Sequence, residues 1–287
     1  MPKFYSDLLM CVTLLFVLCL SANFEVRADE PKTEEIIAKH LDSIGTKEKR
    51  NALKNRIAGG GSQFESKLPN RKTAGKAVIV SEAKNLFFVT SFNSQEYPFE
   101  KIGFFNDKVN IPYVTAGTRS PLGAFIADHN KILSEGLFTE AVSSMWSLSN
   151  SSIGKEKFGS AGTKKIDGRK TYALNYYPDG GSTEFTVKLY FDAQTFQHVR
   201  TEYRHTIASK QVTFGVLGQQ FGVKILLTET FGDFKNADGL ALPHSYQIQY
   251  LTDSNSGTYE YNWGITISKY LFNQNLAADF FTFDEKK

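Results

Sequence analysis

The sequence has almost no cysteine. Its 287 residues include two, Cys11 and Cys19, and both lie close to the N-terminus. Removal of that leading segment would leave a chain without a thiol. A disulfide framework, thiol catalysis and a thiolate metal site are therefore excluded for the remainder of the protein.

The chain also lacks a strong excess of charge. It has 33 Lys and Arg against 30 Asp and Glu, a formal net charge of +3. Basic residues are not gathered into runs interleaved with aromatic residues, as a surface that binds nucleic acid requires. We therefore predict no nucleic-acid partner.

Catalytic motifs are missing as well. The sequence has no Gly-x-Ser-x-Gly turn that would expose a serine nucleophile. The glycine run Gly59–Gly61 is not followed by the Lys-Ser/Thr pair of a phosphate-binding loop. We predict that the protein is not an enzyme and uses no cofactor.

The five histidines do not form a metal-binding pattern, because no two lie four residues apart on a helix. His40 is predicted to lie in the core. His198 and His205 are an odd number of residues apart, so a regular strand would direct them to opposite faces. A row of polar residues is predicted to be the solvated face of a strand: His198, Arg200, Glu202 and Arg204. We predict no metal site.

The one long apolar run extends from Leu8 to Leu20, after Lys3, and the small-residue site Val26-Arg27-Ala28 follows it. The run is shorter than the roughly 20 residues that cross a bilayer. This pattern is typical of a secretory signal peptide, residues 1–28, cleaved before Asp29. We expect a periplasmic protein. The alternatives are an extracellular protein and one anchored in the membrane by an uncleaved N-terminus.

The remainder, 29–287, is predicted to be a single domain. A helix should begin at Thr33 and end before Gly45, and a second, short helix should cover 46–54. After these, short apolar runs alternate with turn residues such as Asp167-Gly168 and Asp238-Gly239, which indicates about eleven strands. Because no βαβ rhythm is present, the sheet should be antiparallel. The fold class is mainly β (α+β).

One segment interrupts this pattern. From Arg119 to Trp146 the apolar residues have helical spacing, Ser120 and Pro121 suit a helix start, and Ser134–Gly136 should divide the segment into two helices. We predict a helical lid over the sheet. Its candidate ligand-binding residues are Phe125, Ile126, Leu133, Leu137, Phe138, Met145 and Trp146. The alternative is that the same side chains fill the interior permanently.

The chain is rich in aromatic residues, with 24 Phe, 13 Tyr and 2 Trp. A long antiparallel sheet curls, and its apolar concave face must be covered by other elements or by an apolar ligand. The aromatic residues therefore suit a ligand-binding interior, and they equally suit an ordinary core.

Several stretches resemble a known superfamily. These are "KKIDGRKTYALNYYP" with "TVKLYFDAQTFQHVRTEY", then "FGDFKNADGLALPHSYQIQY" with "WGITISKYLFNQNLAADFFTF", and the opening "EEIIAKHLDSIGTKEKRNALKNRIAGG". Together they resemble the periplasmic lipoprotein carrier LolA and its exported bacterial relatives. The resemblance implies an unclosed antiparallel half-barrel whose apolar concave face is partly covered by helices. It identifies no individual ligand-contacting residue.

The resemblance also has implications for function. Members of this superfamily carry lipids or lipoprotein acyl chains across the periplasm or act as sensor domains. We therefore expect a carrier or chaperone that binds a hydrophobic ligand, with an envelope membrane protein as a further partner. The alternative is an envelope sensor or scaffold that has a filled interior and acts through protein–protein contacts. The sequence makes no prediction of oligomeric state.

Overall fold

A computed structural model describes residues 30–144, 148, 157–178, 184–207, 222–255 and 257–282. The chain divides into a leading unit, Met1–Pro31, and a main unit, Lys32–Lys287. All elements below belong to the main unit, and the predicted signal peptide lies outside the described residues. Within the described ranges, no helix has the length and apolar character needed to cross a membrane.

Strands dominate the main unit. In chain order they are β1 (Asn55–Lys67), β2 (Asn70–Glu82), β3 (Asn85–Phe92), β4 (Phe99–Phe105), β5 (Lys108–Asn110), β6 (Phe158–Ile166), β7 (Arg169–Tyr176), β8 (Phe185–Asp192), β9 (His198–Ile207), β10 (Val223–Ala237), β11 (Leu240–Ser254) and β12 (Gly257–Phe272). These twelve strands form one antiparallel sheet in the order β5-β4-β3-β2-β1-β12-β11-β10-β9-β8-β7-β6.

The strand order shows how the sheet is assembled. The first five strands and the last seven each pair with their chain neighbours, and the pairing of β1 with β12 joins the two groups. β5 and β6 remain at opposite edges, so the sheet does not close into a barrel. The predicted unclosed antiparallel half-barrel is confirmed, with twelve strands rather than about eleven.

Two glycines permit close contacts between strands. A Cβ on Gly60 would lie 1.9 Å from the carbonyl oxygen of Thr266, and one on Gly75 would lie 1.8 Å from that of Ser91. The register between β1 and β12 also shifts at Gly60. Such a β-bulge bends the strand and increases its twist, which helps the long sheet to curl around its covered face.

In the described ranges, four helices accompany the sheet: α1 (Thr33–Ile44), α2 (Lys47–Asn51), α3 (Pro121–Asp128) and α4 (Lys131–Ser134). α1 agrees with the prediction and buries one stripe of residues that includes Ile36, His40 and Ile44. α2 is shorter than the predicted range and is capped by Thr46, whose side chain accepts a hydrogen bond from the Lys49 backbone N–H at 3.3 Å.

The mid-chain segment is only partly helical. α3 starts as predicted, because the Ser120 side chain accepts a hydrogen bond from the Gly123 N–H at 2.8 Å and Pro121 follows. A second long helix does not form, since residues 137–144 adopt turns. Gly136 and Thr139 have left-handed φ angles of 71° and 62°. Polar groups from Thr139 to Ser144 form hydrogen bonds with residues of the sheet instead of continuing a helix.

Candidate functional site

The predicted lid residues that the structure describes lie in the core. Leu133, Leu137, Phe138 and Ile126 have 0% of their surface exposed, and Phe125 has 4%. All five belong to one continuous cluster with the inward-facing residues of the sheet. Met145 and Trp146 lie outside the described residues. The described part of the insert therefore fills the covered face of the sheet.

The residues from Leu137 to Ser144, here called the anchored segment, carry a buried carboxylate. The side chain of Glu140 accepts a hydrogen bond from His198 Nδ1 at 2.7 Å. His40 of α1 places its Nε2 3.8 Å from the other carboxylate oxygen. Burial opposes ionisation, but the hydrogen bond from His198 and the electrostatic influence of His198 and His40 outweigh it and hold the pKa of Glu140 below its ordinary value.

Both histidines are fixed by further acceptors. The second ring nitrogen of His198 lies 3.0 Å from the carbonyl oxygen of Arg200, and Nδ1 of His40 lies 3.0 Å from that of Phe196. These contacts fix the orientation of both rings. The cluster thus joins α1, the anchored segment and β9 through buried polar contacts.

A β-bulge brings His198 to this position. On β8, Phe191 pairs with His198 whereas Tyr190 pairs with Arg200, so Val199 is an extra residue in β9. A bulge reverses the alternation of side chains that follows it. The prediction that His198 shares a solvated face with Arg200 is therefore wrong.

Two other predictions for β9 are also corrected. His205 lies on the covered side with His198, and its Nδ1 is 3.0 Å from Nε2 of His129. The expectation that His198 and His205 point to opposite faces is therefore wrong. Glu202 is buried rather than solvated, because Arg204 and Tyr190 hold its carboxylate at 2.8 and 3.0 Å.

A second buried carboxylate supports the anchored segment from β10. The two oxygens of Glu229 accept hydrogen bonds from the Thr139 N–H at 2.8 Å, Tyr246 OH at 2.6 Å and Tyr203 OH at 2.7 Å. Burial raises the pKa of Glu229 to about 7, against the opposing effect of these donors.

The end of the anchored segment is attached to the other half of the sheet. The buried guanidinium of Arg56 on β1 donates to the Ser143 carbonyl at 2.8 Å. The Ser144 N–H donates to Ser81 Oγ of β2 at 2.7 Å. Together with the Glu140 and Glu229 contacts, these bonds fix the anchored segment on both groups of strands.

A cavity of about 260 Å³ lies beside the insert, and we call it the mouth cavity. It is enclosed by the ends of β1, β2 and β12, by Glu96 and Tyr97, and by the loop that leads into α3. Its lining residues are Phe64, Ser66, Pro69, Arg71, Glu96, Tyr97, Val114, Thr115, Thr118, Arg119, Ser120, Pro121, Tyr261 and Trp263.

Aromatic rings form the floor of the mouth cavity. The Phe64 ring centroid lies 4.4 Å from that of Tyr97 and 5.4 Å from that of Trp263, and Tyr261 lies beside Trp263 at 6.4 Å. The four rings come from three separate parts of the chain. They present an apolar surface of the kind that small-molecule pockets use.

A hydrogen-bonded chain connects this floor with the start of α3. Trp263 Nε1 donates to Tyr97 OH at 2.7 Å, and Tyr97 OH donates to the Glu100 carboxylate at 2.5 Å. Burial raises the pKa of Glu100 to about 7, although hydrogen bonds from Ser120 and Tyr97 oppose the shift. Ser120 is also the residue that caps α3.

The rim of the mouth cavity is charged. Arg71 pairs with Glu96 at 2.7 Å. Arg119 donates to the Ile111 carbonyl at 3.0 Å, and its guanidinium lies 4.7 Å from the ring centroid of Tyr113. An apolar cavity with a few polar groups at its opening suits a ligand that has an apolar body and a polar end.

Two exposed apolar side chains flank this opening. Leu68, next to the lining residue Pro69, has 55% of its surface exposed, and Tyr113, next to Val114, has 52% exposed. Exposed apolar groups beside a cavity provide a surface on which another apolar surface can pack.

The mouth cavity is not evident from the amino-acid sequence. Its floor depends on contacts between β1, β12 and Tyr97, which are distant in the chain. The available signal was the alternating row of β12, in which Tyr261 and Trp263 share a face with Ile265 and Ile267. Among the described residues, no group of three or more His, Cys, Asp or Glu side chains is placed to hold a metal ion.

Comparisons with known proteins give similarities of fold. No protein-family model matches the chain, and no curated protein matches it. A domain assigned by name to outer membrane lipoprotein sorting, from Vibrio parahaemolyticus, is 12% identical, with a TM-score of 0.41 over 86% of this chain and 97% of that one. The likeness is one of fold alone.

Two further structures are similar to the chain. A DUF1329 family protein from Desulfovibrio piger is 11% identical, with a TM-score of 0.46 over 88% of this chain and 98% of that one. The Pseudomonas aeruginosa MucA/MucB complex gives 7% identity and a TM-score of 0.23 over 83% and 99%. Because these scores lie below 0.5, the functional argument depends on the residues of this chain.

Proposed function

We propose that this chain is an exported envelope protein of the carrier type, which binds a hydrophobic ligand such as a lipid or a lipoprotein acyl chain in the mouth cavity. The observation that carries the proposal is the aromatic floor of Phe64, Tyr97, Tyr261 and Trp263 below a charged rim. Binding alone accounts for this arrangement, so we assign no catalytic step.

The size of the cavity limits what it holds in the present conformation. Its 260 Å³ are slightly below the range of about 300–1,000 Å³ typical of ligand pockets. Each buried methylene contributes about 0.8 kcal/mol, so a short stretch of acyl chain suffices for binding. A longer chain would need space beneath α3, where Phe125 and Ile126 lie. These two of the predicted lid residues are therefore proposed as the movable ones.

Export and delivery belong to the same proposal. The N-terminal apolar run supports cleavage of a signal peptide and a periplasmic location. The exposed Leu68 and Tyr113 beside the opening support transient docking on an envelope membrane protein that donates or receives the ligand.

The test is to isolate the protein from the periplasm, extract it with organic solvent and analyse the extract by mass spectrometry. We expect lipid in stoichiometric amount, and displacement of the lipid by a fluorescent fatty acid. Thr118→Trp should block the opening and reduce uptake of the fatty acid. Ala116→Trp is the matched control, because Ala116 is exposed in the same loop but does not line the cavity.

One observation favours a second candidate function. The anchored segment fills much of the covered face and is fixed by buried polar contacts, as a scaffold or sensor with a permanent interior requires. A folded protein that contains no lipid and takes up no fluorescent fatty acid would contradict the carrier and support the scaffold.

A further inference from the structure

A second concavity, of about 410 Å³, lies on the opposite face of the sheet, and we call it the outer groove. We propose that the outer groove binds an uncharged oligosaccharide. Its side chains are chiefly amides and hydroxyls rather than aromatic rings. The proposal is independent of the hydrophobic ligand, because the two cavities lie on different faces.

Strand pairing builds the outer groove from two parallel rows of side chains that cross the strands. The first row contains Gln63, Gly264, Gln247, Thr230 and Arg200, each paired with the next. The second row, two residues further along each strand, contains Lys72, Glu65, Asn262, Gln249, Thr228 and Glu202. Intervening residues such as Ile248 and Trp263 point into the core.

The groove crosses six strands, from β9 through β10, β11, β12 and β1 to β2. Adjacent strands lie about 4.8 Å apart, so the second, longer row extends over roughly 24 Å. This length accommodates several sugar rings lying across the strands.

The floor of the groove is open at Gly264. A Cβ added there would meet no atom within 4 Å, and the residue does not have a left-handed φ. No neighbouring atom therefore requires glycine at this position. The missing side chain leaves a gap in the first row between Gln63 and Gln247.

The charges of the groove are balanced by neighbours. Lys72 lies 3.7 Å from Glu65, and Arg200 lies 3.3 Å from Asp167. Glu202 is paired with Arg204 at 2.8 Å. Because each charge has an opposite partner, the groove as a whole does not select an anion or a cation.

Hydrogen-bonding groups without partners remain in the groove. The Nε of Arg200 is buried and has no hydrogen-bond partner among the described residues. The side chains of Gln63, Gln247 and Thr230 also make no hydrogen bond within the described ranges. An amide both donates and accepts, and so does a hydroxyl. Sugar hydroxyls have the same dual character and would satisfy these groups together.

A peptide fits these features less well. Peptides that add to a sheet bond to the backbone of an edge strand, whereas this groove lies on the face of the sheet. Among the residues that line the groove, Leu226 is the one whose apolar side chain lies on this face of the sheet. Pockets for peptide side chains are therefore lacking. An oligosaccharide needs neither feature.

The experiment uses the full chain and two uncharged probes, the hexamer of N-acetylglucosamine and maltohexaose, in calorimetric titrations. We expect one of them to bind. Gly264→Tyr should fill the groove and lower the affinity at least tenfold without lowering the urea midpoint of unfolding. Gly59→Tyr is the matched control, since a Cβ there also meets no atom within 4 Å and the residue does not line the groove.

A second variant covers the case in which Gly264→Tyr does not fold. Gln247→Ala combined with Thr230→Ala removes two hydrogen-bonding groups and should weaken binding roughly tenfold. Lack of binding by both saccharides would overturn the proposal, as would affinity unchanged in the variants. Binding of an extended decapeptide in place of both saccharides would overturn it too. Uptake of the fluorescent fatty acid should be normal in these variants, which separates this test from that of the carrier.

Discussion

The two halves of the mid-chain insert have similar apolar content and different attachments. α3 contributes Phe125 and Ile126 to the core, and the anchored segment contributes Leu137 and Phe138. The anchored segment is in addition bonded to Glu229, His198, Arg56 and Ser81 of the sheet. Burial alone therefore does not distinguish a movable cover from a fixed one.

The start of α3 is held by fewer polar contacts. The Ser120 cap lies next to Glu100, and Arg119 bonds to the carbonyl of Ile111. The opposite end of α3 is followed by His129, which stacks on Phe185 at 4.1 Å and contacts His205. Opening of α3 for a ligand would break fewer polar contacts than opening of the anchored segment.

The largest expected effect comes from breaking the anchored segment. Glu140→Ala removes the buried partner of His198 and His40, and loss of one member of a buried charge pair typically costs about 3–5 kcal/mol. We expect the free energy of unfolding in urea to fall by about that amount. Glu35→Ala on exposed α1 surface is the control and should change it by less than about 0.5 kcal/mol. A similar small change in Glu140→Ala would show that the segment is not anchored in this way.

The next effect concerns pH, because each half of the insert contacts one carboxyl group with a raised pKa. Glu229 supports the anchored segment and Glu100 lies at the start of α3, and burial raises the pKa of both from 4.5 to about 7. Between these values the folded state retains a proton that the unfolded state releases. Stability therefore falls as pH rises through this window, by about 3 kcal/mol for each group.

Measurement of urea unfolding at about pH 5 and about pH 8 should show this decline. Glu229→Gln and Glu100→Gln should each remove roughly half of it. Uptake of a fluorescent fatty acid should change its pH dependence only in Glu100→Gln, since Glu100 alone of the two is bonded to the floor of the mouth cavity. Equal changes in uptake for both variants would contradict the distinction between the halves.

The smallest expected effect is at the cap of α3. Ser120→Ala removes the hydrogen bond to the Gly123 N–H and should lower stability by about 1 kcal/mol. If α3 is the movable half, the variant should also take up the fluorescent fatty acid faster in stopped-flow measurements. Ser134→Ala near the end of α4 is the control. An unchanged uptake rate would count against movement of α3.

Local patterns predicted much of the fold. The period of the apolar residues indicated α1, the start of α3 at Ser120-Pro121 and the strands, and the short turns indicated an antiparallel order. In β8 the apolar residues Phe185, Val187, Leu189 and Phe191 alternate along the strand, and all four are buried. These features depend on neighbours in the chain, so local sequence patterns indicate them.

Features that depend on a change of register were not predicted. The extra residue Val199 places His198 in the core. The sequence of β9 around Val199 has the composition and spacing of a regular strand, so it does not indicate the bulge. The turns of residues 137–144 replaced the expected helix because Glu229 and Arg56 supply distant hydrogen-bonding partners. Apolar spacing alone gives no information about these partners.

Periodicity and turn chemistry act over a few residues, so the amino-acid sequence alone indicates a mainly β chain with a helical N-terminal region and an apolar insert. Which part of the insert is fixed, where the mouth cavity opens and which polar side chains line the outer groove become clear only from the folded chain. Those outcomes depend on register and pairing between strands far apart in the chain, and on the need of each buried charge for a partner.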